Sequence, residues 1–146
     1  MRATRTVLVI GAAVWLLVGI GGIWLSVVGR EWLISSLPPL AIDADALGGA
    51  LTATALVVLA IGLAHLGVLI GLTRGWRWAR SAGALLASVL AAALLGLVAA
   101  AVSSAVREVA YALPLGAGAT LAAVGVLGYA TVAVRLARSL GSGSAI

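Results

Sequence analysis

The stretch "TRGWRWARSAG", from Thr73 to Gly83, decides the fold of this chain. It places three arginines and two tryptophans between two long apolar runs, and it is too short to form a domain of its own. A short polar connection between two apolar runs predicts a hairpin of antiparallel, neighbouring helices. The same stretch raises a second question, which is whether its arginines also bind a ligand.

The composition identifies the solvent of those helices. The chain has 146 residues, of which 64% are hydrophobic and 9% charged, whereas soluble domains carry about 25% charged residues. A soluble protein this apolar could not cover its own surface with polar groups. The formal charge of +5 would suggest nucleic acid in a soluble protein, but here the basic residues flank apolar runs, so the bilayer explains them and no nucleic-acid partner is expected.

The apolar runs have the length of membrane spans. A helix needs about 20 residues to cross the hydrocarbon core, and four runs meet that length, at about residues 7–28, 47–72, 79–102 and 113–134. The sequence therefore predicts an all-α, four-transmembrane-helix bundle built from two antiparallel hairpins. We expect one domain over residues 1–138 and a flexible, Gly/Ser-rich tail over residues 139–146.

The charges predict an orientation. Seven of the nine basic residues lie on one side of the predicted spans, namely Arg2, Arg5, Arg74, Arg77, Arg80, Arg135 and Arg138. The other side carries the remaining two and all four acids, namely Arg30, Arg107, Glu31, Asp43, Asp45 and Glu108. The positive-inside rule then places both termini in the cytoplasm of a bacterial inner membrane protein.

The two hairpins share short phrases that suggest a duplication. "RATRT" at residues 2–6 and "RWARS" at 77–81 both precede a span, and "REWLISSLPPL" at 30–40 and "REVAYALPL" at 107–115 both follow one. A duplicated hairpin would have a pseudo-twofold axis along the membrane normal. Topology rules alone would also place arginines here, so both readings stay open. In the duplicated arrangement the outer pairs Arg30–Glu31 and Arg107–Glu108 could meet as a cluster.

Small residues repeat along the third span at the spacing that lets helix backbones approach. One stripe at spacing four runs Ala84, Ser88, Ala92, Gly96, Ala100, Ser104, and a second beside it runs Ala79, Gly83, Ala87, Ala91. Such small-xxx-small stripes drive helix contact in lipid, where hydrophobic burial cannot. We expect this helix to be central in the bundle. The stripes equally fit a homo-oligomer or a membrane protein partner.

His65 is the one candidate for chemistry inside a span. An ionisable group at that depth is a functional hypothesis by default, and proton relay or ligand contact are the specific versions of it. The alternative, which the lack of a charged partner favours, is a neutral imidazole bonded to a neighbouring helix. The sequence shows no catalytic set, no metal-ligand cluster and no cysteine, so we expect neither an enzyme nor a cofactor or metal site.

The polar groups of the opening stretch have a structural and a functional interpretation. Arginines set orientation, tryptophans suit the membrane interface, and Gly75 lets the chain turn. Alternatively, Arg74, Arg77 and Arg80, with Trp76 and Trp78, could contact an anionic lipid headgroup. If the third helix begins early, Trp76 and Arg80 lie one turn apart and could make a cation–π contact.

The phrase "GLTRGWRWAR", with Gly75, Trp78, Ala79 and Arg80 in a short inner loop, resembles the small uncharacterised four-helix integral membrane proteins of high-GC bacteria. The resemblance implies the same four-span layout and carries no activity to transfer. Two functions therefore remain. One is a non-catalytic accessory, scaffold or assembly component of a membrane complex. The other is a small oligomeric transporter or channel for a neutral or apolar solute, with His65 in the pathway.

Overall fold

The computed structural model describes residues 2–29, 31–32, 35, 44–107 and 112–141. Four long helices make up almost all of this part of the chain: α1 (Arg2–Val27), α2 (Ala44–Thr73), α3 (Arg77–Arg107) and α4 (Ala112–Gly141). All four are long and apolar enough to cross a membrane, and the described residues contain no strand. The prediction of an all-α four-helix bundle is confirmed.

The helices are longer than the apolar runs that predict them. The 30 residues of α2 extend over about 45 Å, whereas the hydrocarbon core is about 30 Å thick. α1 and α4 extend at their arginine-bearing ends, because arginine, leucine and alanine are good helix formers that continue a helix into the interface. As a result α4 runs to Gly141, so residues 139–141 are helical where the sequence predicts a tail. Residues 142–146 lie outside the described part.

The chain's contacts fall into two compact units. The single domain that the sequence predicts over residues 1–138 stays a prediction. We call Leu8–Leu69 the hairpin unit, since it holds most of α1 and α2. We call Met1–Val7 with Ile70–Ile146 the arginine unit, since it holds α3, α4 and the arginine-bearing ends of α1 and α2. The predicted hairpin duplication stays a prediction, because much of the two outer phrases, at residues 30–40 and 107–115, lies outside the described ranges.

Glycines bring the two helices of the hairpin unit together. Three contacts run in opposite directions along the helices, as an antiparallel pair requires: Leu16 with Gly62, Gly19 with Leu59, and Gly22 with Ala55. A Cβ atom on Gly19 would lie 2.8 Å from the backbone nitrogen of Leu59. Only glycine permits that approach, because the opposing atom belongs to the backbone and cannot swing away.

In the arginine unit, α3 packs along α4 as its antiparallel neighbour. The Leu94 side chain fills the space over Gly125, where a Cβ atom would lie 2.8 Å from the leucine Cδ1. The first turns of α1 join α4 as well, since a Cβ atom on Gly128 would lie 3.6 Å from Cγ1 of Val7. These contacts bring the arginine-bearing ends of three helices to one end of the unit.

The two small stripes of α3 differ in their environment. Ala79, Gly83 and Ala87 are buried. The longer stripe is exposed over most of its length, at Ser88, Ala92, Gly96, Ala100 and Ser104, and open space surrounds Gly96. The buried small residues of α3 therefore belong to the shorter stripe, and the expectation that α3 is central in the bundle stays a prediction.

The glycine contact of the hairpin unit gives a quantitative prediction. We expect Gly19→Ala to lower the free energy of unfolding in detergent–SDS mixed micelles relative to Gly21→Ala by about 1–3 kcal/mol, the usual cost of overpacking. Gly21 lies two residues away on the same helix with nothing within 4 Å of its Cβ position. The control therefore gains the same helix propensity without the clash. Equal stability of the two variants would refute the close contact.

Candidate functional site

The turn between α2 and α3 is built on Gly75. Its φ angle of 73° lies in the left-handed region, which glycine adopts without strain. The N–H of Trp76 donates to the carbonyl of Gly71 at 2.9 Å, and the N–H of Gly75 donates to that of Leu72 at 3.3 Å. This pair of bonds is a Schellman motif, which closes the C-terminus of α2. The turn therefore sets the positions of the tryptophans and arginines that follow it in the chain.

An aromatic and cationic stack covers this turn. The guanidinium carbon of Arg74 lies 5.3 Å from the centroid of the Trp76 ring, within cation–π range. The Trp76 and Trp78 rings lie 5.8 Å apart at 34°. Both tryptophans are exposed, as the interfacial belt requires. The sequence suggests Arg80 as the cation for Trp76, and the structure places Arg74 there, because the Schellman turn folds Arg74 over the ring.

Arg80 instead lines a cavity of about 60 Å³ at the arginine-bearing end of the unit. We call it the arginine cavity, and its walls come from the ends of all four helices: Thr4, Arg5, Leu72, Arg80, Arg135, Leu136 and Ser139. All seven belong to the arginine unit. Its volume is several times the roughly 10–15 Å³ that a single water needs, so it has room for a small ligand group.

Helix register explains why these residues meet. Arg80 and Ser139 lie fourteen residues from Leu94 and Gly125 respectively, so the antiparallel register set by the Leu94–Gly125 contact brings them to one level. Arg135 and Ser139 are four residues apart and share one face of α4. Arg5 lies near them because the contact between Val7 and Gly128 holds the start of α1 against α4. Arg80 is half-buried, whereas Arg5 and Arg135 are exposed.

The cavity has an excess of basic residues. Three arginines contribute to its lining, and the described residues of the arginine unit include no Asp or Glu to balance them. Ser139 donates its hydroxyl hydrogen to the carbonyl of Leu136 at 2.7 Å. The arginines and Thr4 are the other polar side chains in the lining.

The predicted lipid-contact set is thus divided between two places. Arg74, Trp76 and Trp78 form the stack over the turn, Arg77 is exposed, and Arg80 lines the arginine cavity. Sequence reasoning assigns Arg5 and Arg135 to orientation only. Their position at the same predicted end of the spans as Arg80 is the signal that could have grouped the three.

His65 lies in the hairpin unit and is fully buried. Its Nδ1 atom lies 2.8 Å from the carbonyl oxygen of Ile61, one turn earlier on α2. This contact requires the hydrogen on Nδ1, which donates to that carbonyl. The ring is thereby held on its own helix, and His65 does not line the arginine cavity.

Part of the predicted outer cluster falls outside the described residues. Arg30 and Glu108 lie there, whereas Glu31 and Arg107 are described and exposed. The predicted meeting of these pairs stays a prediction. Among the residues that the structure describes, no three His, Asp or Glu side chains group so that they could hold a metal ion.

Comparisons with protein families, with curated proteins and with solved structures find no match to this chain. The fold and its charges define the class directly. This is a small membrane protein with four candidate spanning helices, one arginine-rich end and a buried histidine.

The burial of His65 predicts a structural role. We expect His65→Ala to lower the free energy of unfolding in mixed micelles by about 2–4 kcal/mol, since it removes a large side chain from a closed site. Leu66→Ala, at the adjacent and partly exposed position, serves as the control and should cost less than half as much. We expect both variants to insert with unchanged topology. Unchanged stability of His65→Ala would contradict the packing role.

Proposed function

We propose that this chain is a non-catalytic component of a membrane complex, acting as an accessory, scaffold or assembly subunit. It binds a transmembrane helix of a different membrane protein through one face of α3. This face, which we call the small face, consists of Ser88, Ala92, Gly96, Ala100 and Ser104.

The exposure of the small face is the observation that carries the proposal. A stripe that repeats every four residues from Ser88 to Ser104 extends over about 24 Å of helix. Lipid chains gain little from such a surface, whereas a second helix could approach it closely, because small side chains permit backbone contact. Ser88 donates its hydroxyl hydrogen to the Ala84 carbonyl at 2.9 Å. The hydroxyl group of Ser88 is therefore hydrogen-bonded within its own helix, so the face can contact lipid when no partner helix is bound.

The environment of His65 favours this role over the alternative of a transporter or channel. A pathway residue has to contact water or solute at some stage of the cycle. His65 is closed off on all sides and held by the Ile61 carbonyl. A sealed histidine together with an exposed small face is the combination expected of a protein that packs against a partner.

We also propose where the chain is located in the cell. We place the chain in a bacterial inner membrane with both termini in the cytoplasm, on the strength of the positive-inside rule and of the resemblance in the Arg/Trp loop. The arginine unit contains eight of the nine arginines, and seven of these, all but Arg107, lie on the predicted cytoplasmic side.

Single-cysteine cross-linking tests the partner face, since the natural chain has no cysteine. A photoreactive group attached at Ala92→Cys should cross-link a distinct membrane protein in native membranes. Leu127→Cys is the matched control, because it lies at the same level on α4 and is 70% exposed. We expect at least a fivefold lower yield from the control. Mass spectrometry identifies the partner, and a reciprocal cross-link from that partner must return to α3.

A steric variant completes the test. Gly96→Leu should abolish the Ala92 cross-link without lowering accumulation of the chain, since no described residue lies within 4 Å of that Cβ position. Gly118→Leu makes the same change at an exposed and open position on α4 and should leave the cross-link intact. Equal yields at positions 92 and 127, or products that contain only a second copy of this chain, would contradict the accessory role.

A further inference from the structure

We propose that the arginine cavity is a binding site for a phosphate group, held by Arg5, Arg80 and Arg135. The phosphate could belong to an anionic lipid headgroup or to a free phosphate ion, and both present the same charged oxygens to the cavity. The inference is independent of the small face of α3, because the two features share no residue.

The uncompensated charge is the first reason. Three arginines line one cavity of about 60 Å³, and like charges at such close quarters repel one another. The described residues of the arginine unit include no Asp or Glu that could balance this charge.

The geometry of the ligand groups is the second reason. Arginine offers a rigid fork of N–H donors that matches the oxygens of phosphate, and the pairing is often bidentate. Here the three arginines come from three different helices and line one partly open recess, with Arg80 half-buried and Arg5 and Arg135 exposed. Buried Thr4 and Leu136 close the cavity wall. This enclosure distinguishes Arg80 from exposed Arg77, three residues earlier on the same helix.

The position of the cavity favours a ligand at headgroup depth. Leu72 and Leu136 in the wall belong to the ends of membrane-length helices, so the cavity lies where apolar spans give way to charged residues. Lipid phosphates occupy that zone, and a basic pocket between helices is a known type of headgroup site. A soluble phosphate reaches the same zone from the aqueous side.

The experiment uses the full chain in nanodiscs with two probes. The first probe is phosphatidylglycerol, included in phosphatidylcholine nanodiscs, and native mass spectrometry counts the molecules that stay bound after extraction. The second probe is inorganic phosphate, titrated by calorimetry into nanodiscs of phosphatidylcholine alone. We expect Arg80→Gln and Arg135→Gln to weaken binding of one probe by about tenfold or more, since each removes a charge-assisted pair. The probe that responds identifies the source of the phosphate.

Matched variants separate a site from general charge. Arg77→Gln and Arg138→Gln remove the same charge from the same two helices outside the cavity wall, and each should change binding by less than about twofold. Arg80→Lys keeps the charge but loses the fork, so it should bind more weakly than the natural chain and more tightly than Arg80→Gln.

A melting temperature measured in the absence of anions shows whether a variant has lost binding because it misfolds. In phosphatidylcholine nanodiscs at low salt, Arg80→Gln should melt at the same temperature as the natural chain or higher, because it relieves repulsion within the cavity. Three results would overturn the site: binding of neither probe by the natural chain, equal losses from Arg77→Gln and Arg80→Gln, or unfolding of Arg80→Gln that accounts for its loss of binding.

Discussion

Lipid does not hydrogen-bond the polypeptide backbone, and this constraint governs every part of the structure. Spanning segments must pair all their N–H and C=O groups internally, which leaves helices as the solution for this chain. Hydroxyl groups obey the same rule, since Thr54, Ser88 and Thr131 each donate to a carbonyl one turn earlier on their own helix. His65 does the equivalent with the carbonyl of Ile61. Polar groups within the spans are thereby satisfied locally, and charges are displaced to the helix ends.

The same constraint decides how the helices meet. Lipid tails are as apolar as leucine, so burying leucine gains little, and close contact between backbones has to supply the attraction. Gly19 against the backbone of Leu59 and Gly62 against that of Leu16 show this in the hairpin unit. A helix face with small residues and no partner is then unusual. The exposed small face from Ser88 to Ser104 is therefore the surface that we propose binds a partner helix.

Displacing the charges to the helix ends has a second consequence. The positive-inside rule needs arginines at one end and is indifferent to how they are arranged there. Packing of α3 on α4, with the first turns of α1 added, arranges three of them around one cavity. A charge pattern that orients the chain can therefore also build a site for an anion.

The four spans and the turn at Gly75 can be predicted from the sequence, because span length, hydropathy and turn chemistry are local properties. The sequence does not predict which of the two stripes of α3 is buried, since both have the same spacing and only tertiary packing distinguishes them. It selects Arg80 as the partner of Trp76 from helical spacing, whereas the Schellman turn brings Arg74 there. The sequence also groups Arg80 with Arg74 and Arg77, its neighbours in the chain, as one lipid-contact set. Helix register, which the sequence leaves open, groups Arg80 with Arg5 and Arg135.

We propose that the arginine-bearing end of this protein, which has four candidate spans, faces the cytoplasm. Single-cysteine labelling in intact cells with a membrane-impermeant maleimide tests it most directly, using Ser35→Cys in the segment between α1 and α2 and Thr73→Cys beside the Arg/Trp turn. We expect Ser35→Cys to be labelled in intact cells and Thr73→Cys to be labelled only after the membrane is permeabilised. Labelling of Thr73→Cys in intact cells would show that the arginine-bearing end faces outward.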